Sequence, residues 1–204
     1  MTSRTITTAG TARREREPDL ATIEVTAIGE GGEPAIARAE TRDRSETIRE
    51  SVTAVSRDQI QTVDIEVDET DSMFGPDVDA EYYGEERLEI ECLPDAAEDV
   101  VIDVTNTGGT IQTVEFGLHK DIHDQLQDEA LTAAMDRARE KAERLATSEG
   151  MTIAGVQTIS TTGTATGMDG IVDEALNGTP DTGFSPTPVV VSESVEVVYE
   201  LTDE

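Results

Sequence analysis

His119 and His123 stand four residues apart, with Asp121 between them and Asp124 directly after. Imidazole nitrogens and carboxylates are the ligand set of a divalent metal, provided that they converge from one face. A strand pattern gives way to a helix pattern between the two histidines, so helical spacing does not bring them together. The cluster reads as structural or exposed histidines. Gly29-Glu30-Gly31-Gly32 follows a strand and precedes a helix, where a phosphate-cradling loop would sit. It lacks the full dinucleotide spacing, and no Gly-Lys-Ser/Thr is present, so a turn is the reading. Any two of the 45 Asp and Glu residues could be paired as general acid and base, which leaves that signal without specificity. No Gly-x-Ser-x-Gly and no nucleophile–histidine motif occurs. Cys92 is the only cysteine, so no internal disulfide is possible; alternating with Ile90, it reads as a reduced core thiol. The expectation is a non-enzymatic protein with no catalytic residues, no metal and no cofactor.

The elements that would position these groups follow from periodicity. Alternating strand patterns cover residues 4–10, 20–28, 60–67, 83–93, 110–118, 152–160 and 188–201. Helical patterns cover 34–55, 94–104 and 121–150. Pro34 and Pro94 suit first-turn positions. Residues 11–19 read as a polar connection, and 68–81 as a polar turn region carrying Met73 and Phe74. Residues 161–186, rich in Gly and Thr, read as a flexible insertion. The order gives two split strand–helix–strand units, at 20–67 and 83–118. The expected class is α+β, with an antiparallel or mixed sheet, ferredoxin-like units, one long helix packed on the sheet and long terminal strands. One domain is expected over 1–204.

The long helix carries the clearest pattern. On a wheel centred on Leu131, Ala134, Met135, Ala138, Ala142, Leu145 and Ala146 fall within about 60°. A face this rich in alanine lets a helix lie close to its neighbour at little cost in propensity. Asp121 suits the N-cap, Glu140 and Arg144 an i,i+4 pair, and Gly150 a left-handed stop. Ile122, Leu126 and Ala133 fall on the opposite side. They are either covered by another segment or form a subunit contact.

Laid out in this order, the chain resembles the SIMPL-domain family, a domain of unknown function. The resemblance rests on the opening ITTAGTARREREPDLATIEV and on Ala35, Ala37 and Ala39 at the start of a helix. It is closest at GTIQTVEFGL (109–118), followed by EALTAAMDRAREKAERLATSEGMTIAGVQTIS (129–160), and ends with the closing strand VSESVEVVYEL (191–201). The family's opening-strand Gly-x-Gly is kept only in part, as Ala9-Gly10-Thr11. Many bacterial members are exported, and no export signal is seen here. The resemblance implies an α+β fold, self-assembly into homo-oligomers, and a scaffold, signalling or stress-related role; it supplies no catalytic residues. Contact surfaces are then expected at edge strands 4–10 and 187–201 and at Ile122, Leu126 and Ala133. The alternative is a ligand- or cation-binding module near 161–186 or around His119, Asp121 and His123.

Composition narrows the setting. The 204 residues carry a formal net charge of −30, with a sequence pI of about 4.1 and 15 Lys plus Arg, only two of them lysine. Such a chain repels nucleic acid phosphates and anionic lipid, so no nucleic acid and no membrane partner is expected. Aromatics are 3% with no tryptophan, which argues against a base- or sugar-stacking surface. No stretch reaches the ~18 apolar residues of a membrane helix, and no apolar signal region opens the chain. The regular apolar patterns argue against acidic disorder. An acidic, lysine-poor surface fits a salt-rich archaeal cytoplasm, where salt screens carboxylate repulsion. Structure is expected to be lost on dilution from molar to millimolar KCl; a far-UV circular dichroism spectrum unchanged across that range would contradict this.

Overall fold

The computed structural model describes residues 4–70, 80–163 and 185–203. The described elements run β1 (Arg4–Arg16), β2 (Leu20–Gly31), α1 (Pro34–Ser51), β3 (Ile60–Glu69), β4 (Tyr82–Cys92), α2 (Ala97–Asn106), β5 (Thr110–Gly117), α3 (Lys120–Ser148), β6 (Met151–Gly163) and β7 (Val189–Asp203). Short 3-10 turns precede β3 and α2. The chain forms two compact units. The fold is α+β, and every described strand pair is antiparallel.

The inner unit holds β2, α1, β3, β4, α2 and β5, with sheet order β3-β4-β2-β5. This is the interleaving of two split strand–helix–strand halves that the element order implied. Alternation places Ala21, Ile23, Val25 and Ala27 of β2 on the helix side, beside Leu88, Ile90 and Cys92 of β4. Ile48 of α1 and Val100 and Val104 of α2 close the core over them.

The Gly-Glu-Gly-Gly segment is not a turn at its start. β2 continues through Gly29 to Gly31, and Gly29 pairs with Gly84 of β4. A Cβ on Gly29 would lie 2.1 Å from the Thr41 backbone nitrogen, and one on Gly84 would lie 2.4 Å from Thr41 Oγ1. The paired glycines are a flat seat for α1, which explains the small buried residues Ala37, Thr41 and Ser45 at its centre. Thr41 Oγ1 donates to Ala37 O at 2.8 Å and Ser45 Oγ to Arg42 O at 3.1 Å, so both hydroxyls are satisfied within the helix.

The terminal unit holds β1, α3, β6 and β7, with order β1-β7-β6. Two expectations are corrected here. β1 does not end at residue 10 but pairs with β7 over its whole length, Arg4 opposite Leu201 through Arg16 opposite Val189. Thr8, Gly10 and Ala12 face inward, Arg13 and Glu15 lie in the outer phase, and Arg14, half-buried, and Arg16 carry the inner phase on to the strand end, so this charged run is part of a strand rather than a connection. β7 is also not an edge: it is bonded on both sides, and the edges of this sheet are β1 and β6.

α3 begins at Lys120, with His119 rather than Asp121 at the N-cap and no side-chain capping bond. Gly150 follows its end at φ 68°, the left-handed stop that glycine permits. Charge pairs on its surface include Lys120–Asp124 at 2.6 Å and Arg139–Glu143 at 2.9 Å, while Arg144 bonds to the Glu140 carbonyl. Its buried residues are Leu126, Ala130, Ala134, Ala138, Ala142 and Ala146, a strict i,i+4 ladder. Four residues turn about 400°, so each rung advances about 40° and the ladder winds round the helix along an i±4 ridge. A twisted sheet needs such a winding face. The wheel centred on Leu131 assumed a straight one, which is why it set Leu126 apart and counted Leu145, in fact 52% exposed, as inward. Gly10 is the seat for this helix: a Cβ there would lie 1.9 Å from Ala134 O and 2.7 Å from Ala138 N.

Gly10→Ala is therefore expected to destabilise the terminal unit by about 3 kcal/mol or more, because backbone must shift. Gly155→Ala, where a Cβ meets nothing within 4 Å, is expected to change stability by less than about 0.5 kcal/mol. Chemical denaturation of the two variants in molar KCl gives the comparison, and equal midpoints would reject the close-approach account.

Candidate functional site

Among the described residues the histidine cluster does not converge as a metal site. His119 and Asp121 are exposed, and the His119 carbonyl accepts the His123 N–H at 2.9 Å in the first helical turn. His123 Nδ1 lies 3.9 Å from Asp124 Oδ1. Asp124 also accepts from Lys120 Nζ at 2.6 Å, and that bond holds its carboxyl below the ordinary aspartate range. Among the described residues no group of three or more His, Cys, Asp or Glu is placed to hold a metal ion.

Of the residues set apart as a possible contact face, Leu126 is 6% exposed and packs with Ala130, Val191 and Leu118. It is covered by its own unit. Ala133 packs in part against the alanine ladder, and Ile122 is half-buried. Most of the expected insertion, residues 164–184, lies outside the described residues, as do Met73 and Phe74.

The structure instead brings together three polar residues that periodicity did not single out. Glu86 lies in the inward phase of β4, between Gly84 and Leu88, and is 6% exposed. Arg49, in the last turn of α1, donates from Nη2 to Glu86 Oε1 at 3.0 Å and to Thr62 Oγ1 at 2.5 Å. Thr62 Oγ1 donates onward to the same Glu86 oxygen at 2.8 Å. The Arg49 cation also meets the negative end of its own helix. Arg49 Nη1 is buried with no protein partner. A charged residue in the inward phase of a strand was the signal available in the sequence. The chemistry of the triad is that of an ion pair holding α1 to β3 and β4.

Two further polar groups lie under α3. Glu193 of β7 is 5% exposed and accepts from Gln127 Nε2 at 2.8 Å. Tyr199 is 1% exposed, and its hydroxyl is buried without a protein partner; burial raises its pKa. Burial likewise pushes the Cys92 thiol up to about 11, so it stays protonated and is no nucleophile at neutral pH. The solvent face of the inner sheet is acidic: Glu24 pairs directly with Glu89, and Thr22 with Glu91. Arg87 donates to Asp64 at 2.5 Å on the same face and lowers the Asp64 pKa.

Arg49→Met leaves Glu86 buried without its cation and is expected to cost about 3–5 kcal/mol of stability. The double variant Arg49→Met/Glu86→Leu removes both charges and is expected to recover most of that loss. A double variant no more stable than Arg49→Met in the same denaturation series would count against the pair as the cause.

A family model described as "SIMPL: Protein of unknown function (DUF541)" matches residues 6–199, spanning both units. No curated protein matches the chain. Among solved structures, prephenate dehydratase from Streptococcus mutans is 12% identical, at a TM-score of 0.24, over 52% of this chain and 44% of that one. The chain thus spans less than half the length of that protein. The ligand-free regulatory subunit of aspartate kinase from Thermus thermophilus is 11% identical, at a TM-score of 0.20, over 94% of this chain and 87% of that one. Superpositions this loose carry no inference about fold or activity. With almost every residue from β1 to β7 inside the family match, the chain belongs to the SIMPL (DUF541) family.

Proposed function

We propose that this SIMPL protein is a non-enzymatic, self-associating protein of a salt-rich cytoplasm, acting as a scaffold or in a stress-related assembly. One observation carries the reading. Among the described residues eight large apolar side chains are exposed, and four of them, Val63, Ile65, Val156 and Ile159, lie on edge strands β3 and β6. Edge strands present unpaired backbone groups, and apolar side chains beside such an edge favour pairing with another chain. The net charge of −30 works against nucleic acid or anionic lipid as the occupant.

Light scattering in molar KCl tests the reading. A mass that exceeds one chain and rises with concentration is expected at micromolar protein, and a strict monomer throughout would remove self-association.

A further inference from the structure

Resting on the self-association reading, we infer that the contact is made by β6, an edge among the described strands, which pairs with β6 of a second copy of this chain. The first ground is charge. Met151–Gly163 reads MTIAGVQTISTTG and contains no Asp, Glu, Lys or Arg. Each of the other six strands carries at least one charged residue, and β1 and β4 carry five each. In a chain that is 29% charged and nets −30, two identical surfaces repel wherever carboxylates line them. At molar salt the Debye length falls to about 3 Å, but carboxylates in direct contact still oppose association. β6 is the edge at which two copies meet without that cost.

The second ground is that the opposite edge of the same sheet is closed. Arg137 Nη1 donates to Thr11 O at 2.5 Å, and Lys141 Nζ donates to Ala9 O at 2.7 Å. Two carbonyls of β1 are thus capped by cations from α3, and Arg4, Arg13, Arg14 and Arg16 add charge along the strand. Capping and charge are the means by which an edge is kept from pairing. Among the described contacts of β6 no side chain caps a carbonyl of the strand, and the cation of Arg4 reaches only its first residue, at Met151 Sδ (4.0 Å).

The third ground is an apolar strip that α3 leaves unfinished. Val156 is opposite Tyr199 and Ile159 opposite Val197, so both lie on the helix side of the sheet. Tyr199 and Val197 are buried, at 1% and 0% exposure. Val156 and Ile159, on the next strand, are 48% and 51% exposed. Ile153 packs against the core, so the strip opens only beyond it. β6 has two irregularities, between Ile153 and Gly155 and between Val156 and Thr158, and pairs with β7 in regular register from Thr158 onward. That regular run is the segment available to a partner. Antiparallel pairing of two β6 edges about a two-fold axis is self-complementary, and would extend the apolar strip of each copy across the junction.

Ile159→Lys and Ser160→Glu place a charge on either face of this run without touching a buried side chain. Both are expected to keep the circular dichroism of the parent in molar KCl and to weaken association at least about tenfold by sedimentation, since like charges would then meet across the two-fold axis. Amide exchange over 158–161 is expected to slow as protein concentration rises. Assembly of the parent that persists unchanged in both variants would overturn the β6 assignment while leaving self-association standing. Exchange over 158–161 that is protected to the same degree at every concentration would place the cover of β6 within one copy and overturn it as well. A parent that is monomeric in every condition would remove the self-association reading itself.

Discussion

Both units depend on the same constraint: a helix is seated on a sheet at backbone distance, and only glycine leaves the room. In the terminal unit Gly10 lies beneath Ala134 and Ala138; in the inner unit the Gly29–Gly84 pair lies beneath Thr41. Once a helix is that close, its contacting residues must be small, which fixes the alanine ladder of α3 and the Ala37–Thr41–Ser45 centre of α1. The small residues in turn restrict how much apolar surface each helix buries. Larger side chains reach the core from the strands, as Ile23, Leu88 and Ile90 do in one unit and Val195, Val197 and Tyr199 in the other. Hydrogen bonds at the seats fix register where side-chain packing is thin. Thr8 Oγ1 donates to Ala138 O at 2.7 Å across the Gly10 contact. At the far end of α1, Arg49 is bonded to Thr62 and Glu86.

Charge sets a second constraint of opposite sense. Directly opposed Glu24 and Glu89 would destabilise a sheet in dilute solution, and most of the cations present are committed locally. Arg49 serves a buried carboxylate, Arg137 and Lys141 serve backbone carbonyls, and Arg87 serves Asp64. With 15 basic residues against 45 acidic ones, most carboxylates can be answered only by solution cations. The exposed ion pairs are worth little individually in concentrated salt, whereas the Arg49–Glu86 pair is shielded from it by burial.

The strand and helix order was legible because strict alternation and alanine spacing survive in the sequence. The split strand–helix–strand topology of the inner unit follows from that order alone. What escaped was three-dimensional in origin. Gly29 and Gly31 look like punctuation, and only the position of α1 shows that they lie within a strand. Arg13, Arg14 and Arg16 of β1 resemble a polar connection until their partners in β7 are known, 173 to 179 residues away (Arg16 opposite Val189, Arg13 opposite Ser192). Leu126 seemed stranded because a flat wheel cannot represent a face that winds with the sheet. Arg49, Thr62 and Glu86 are spread over three elements, and no local spacing joins them.

The pairing of β1 with β7 joins the first described strand to the last. The inner unit's elements from β2 to β5, by contrast, form one continuous stretch between them. During synthesis, that stretch is complete before α3 has been made. Among the described strands β1 is made before all the others, yet its partner is β7, made after all the others. The glycine seat for α3 therefore stays unformed until β7 has been made, and α3 waits with its alanine face uncovered. Non-local strand pairing of this kind is slow. The terminal sheet is thus the later of the two described units to close.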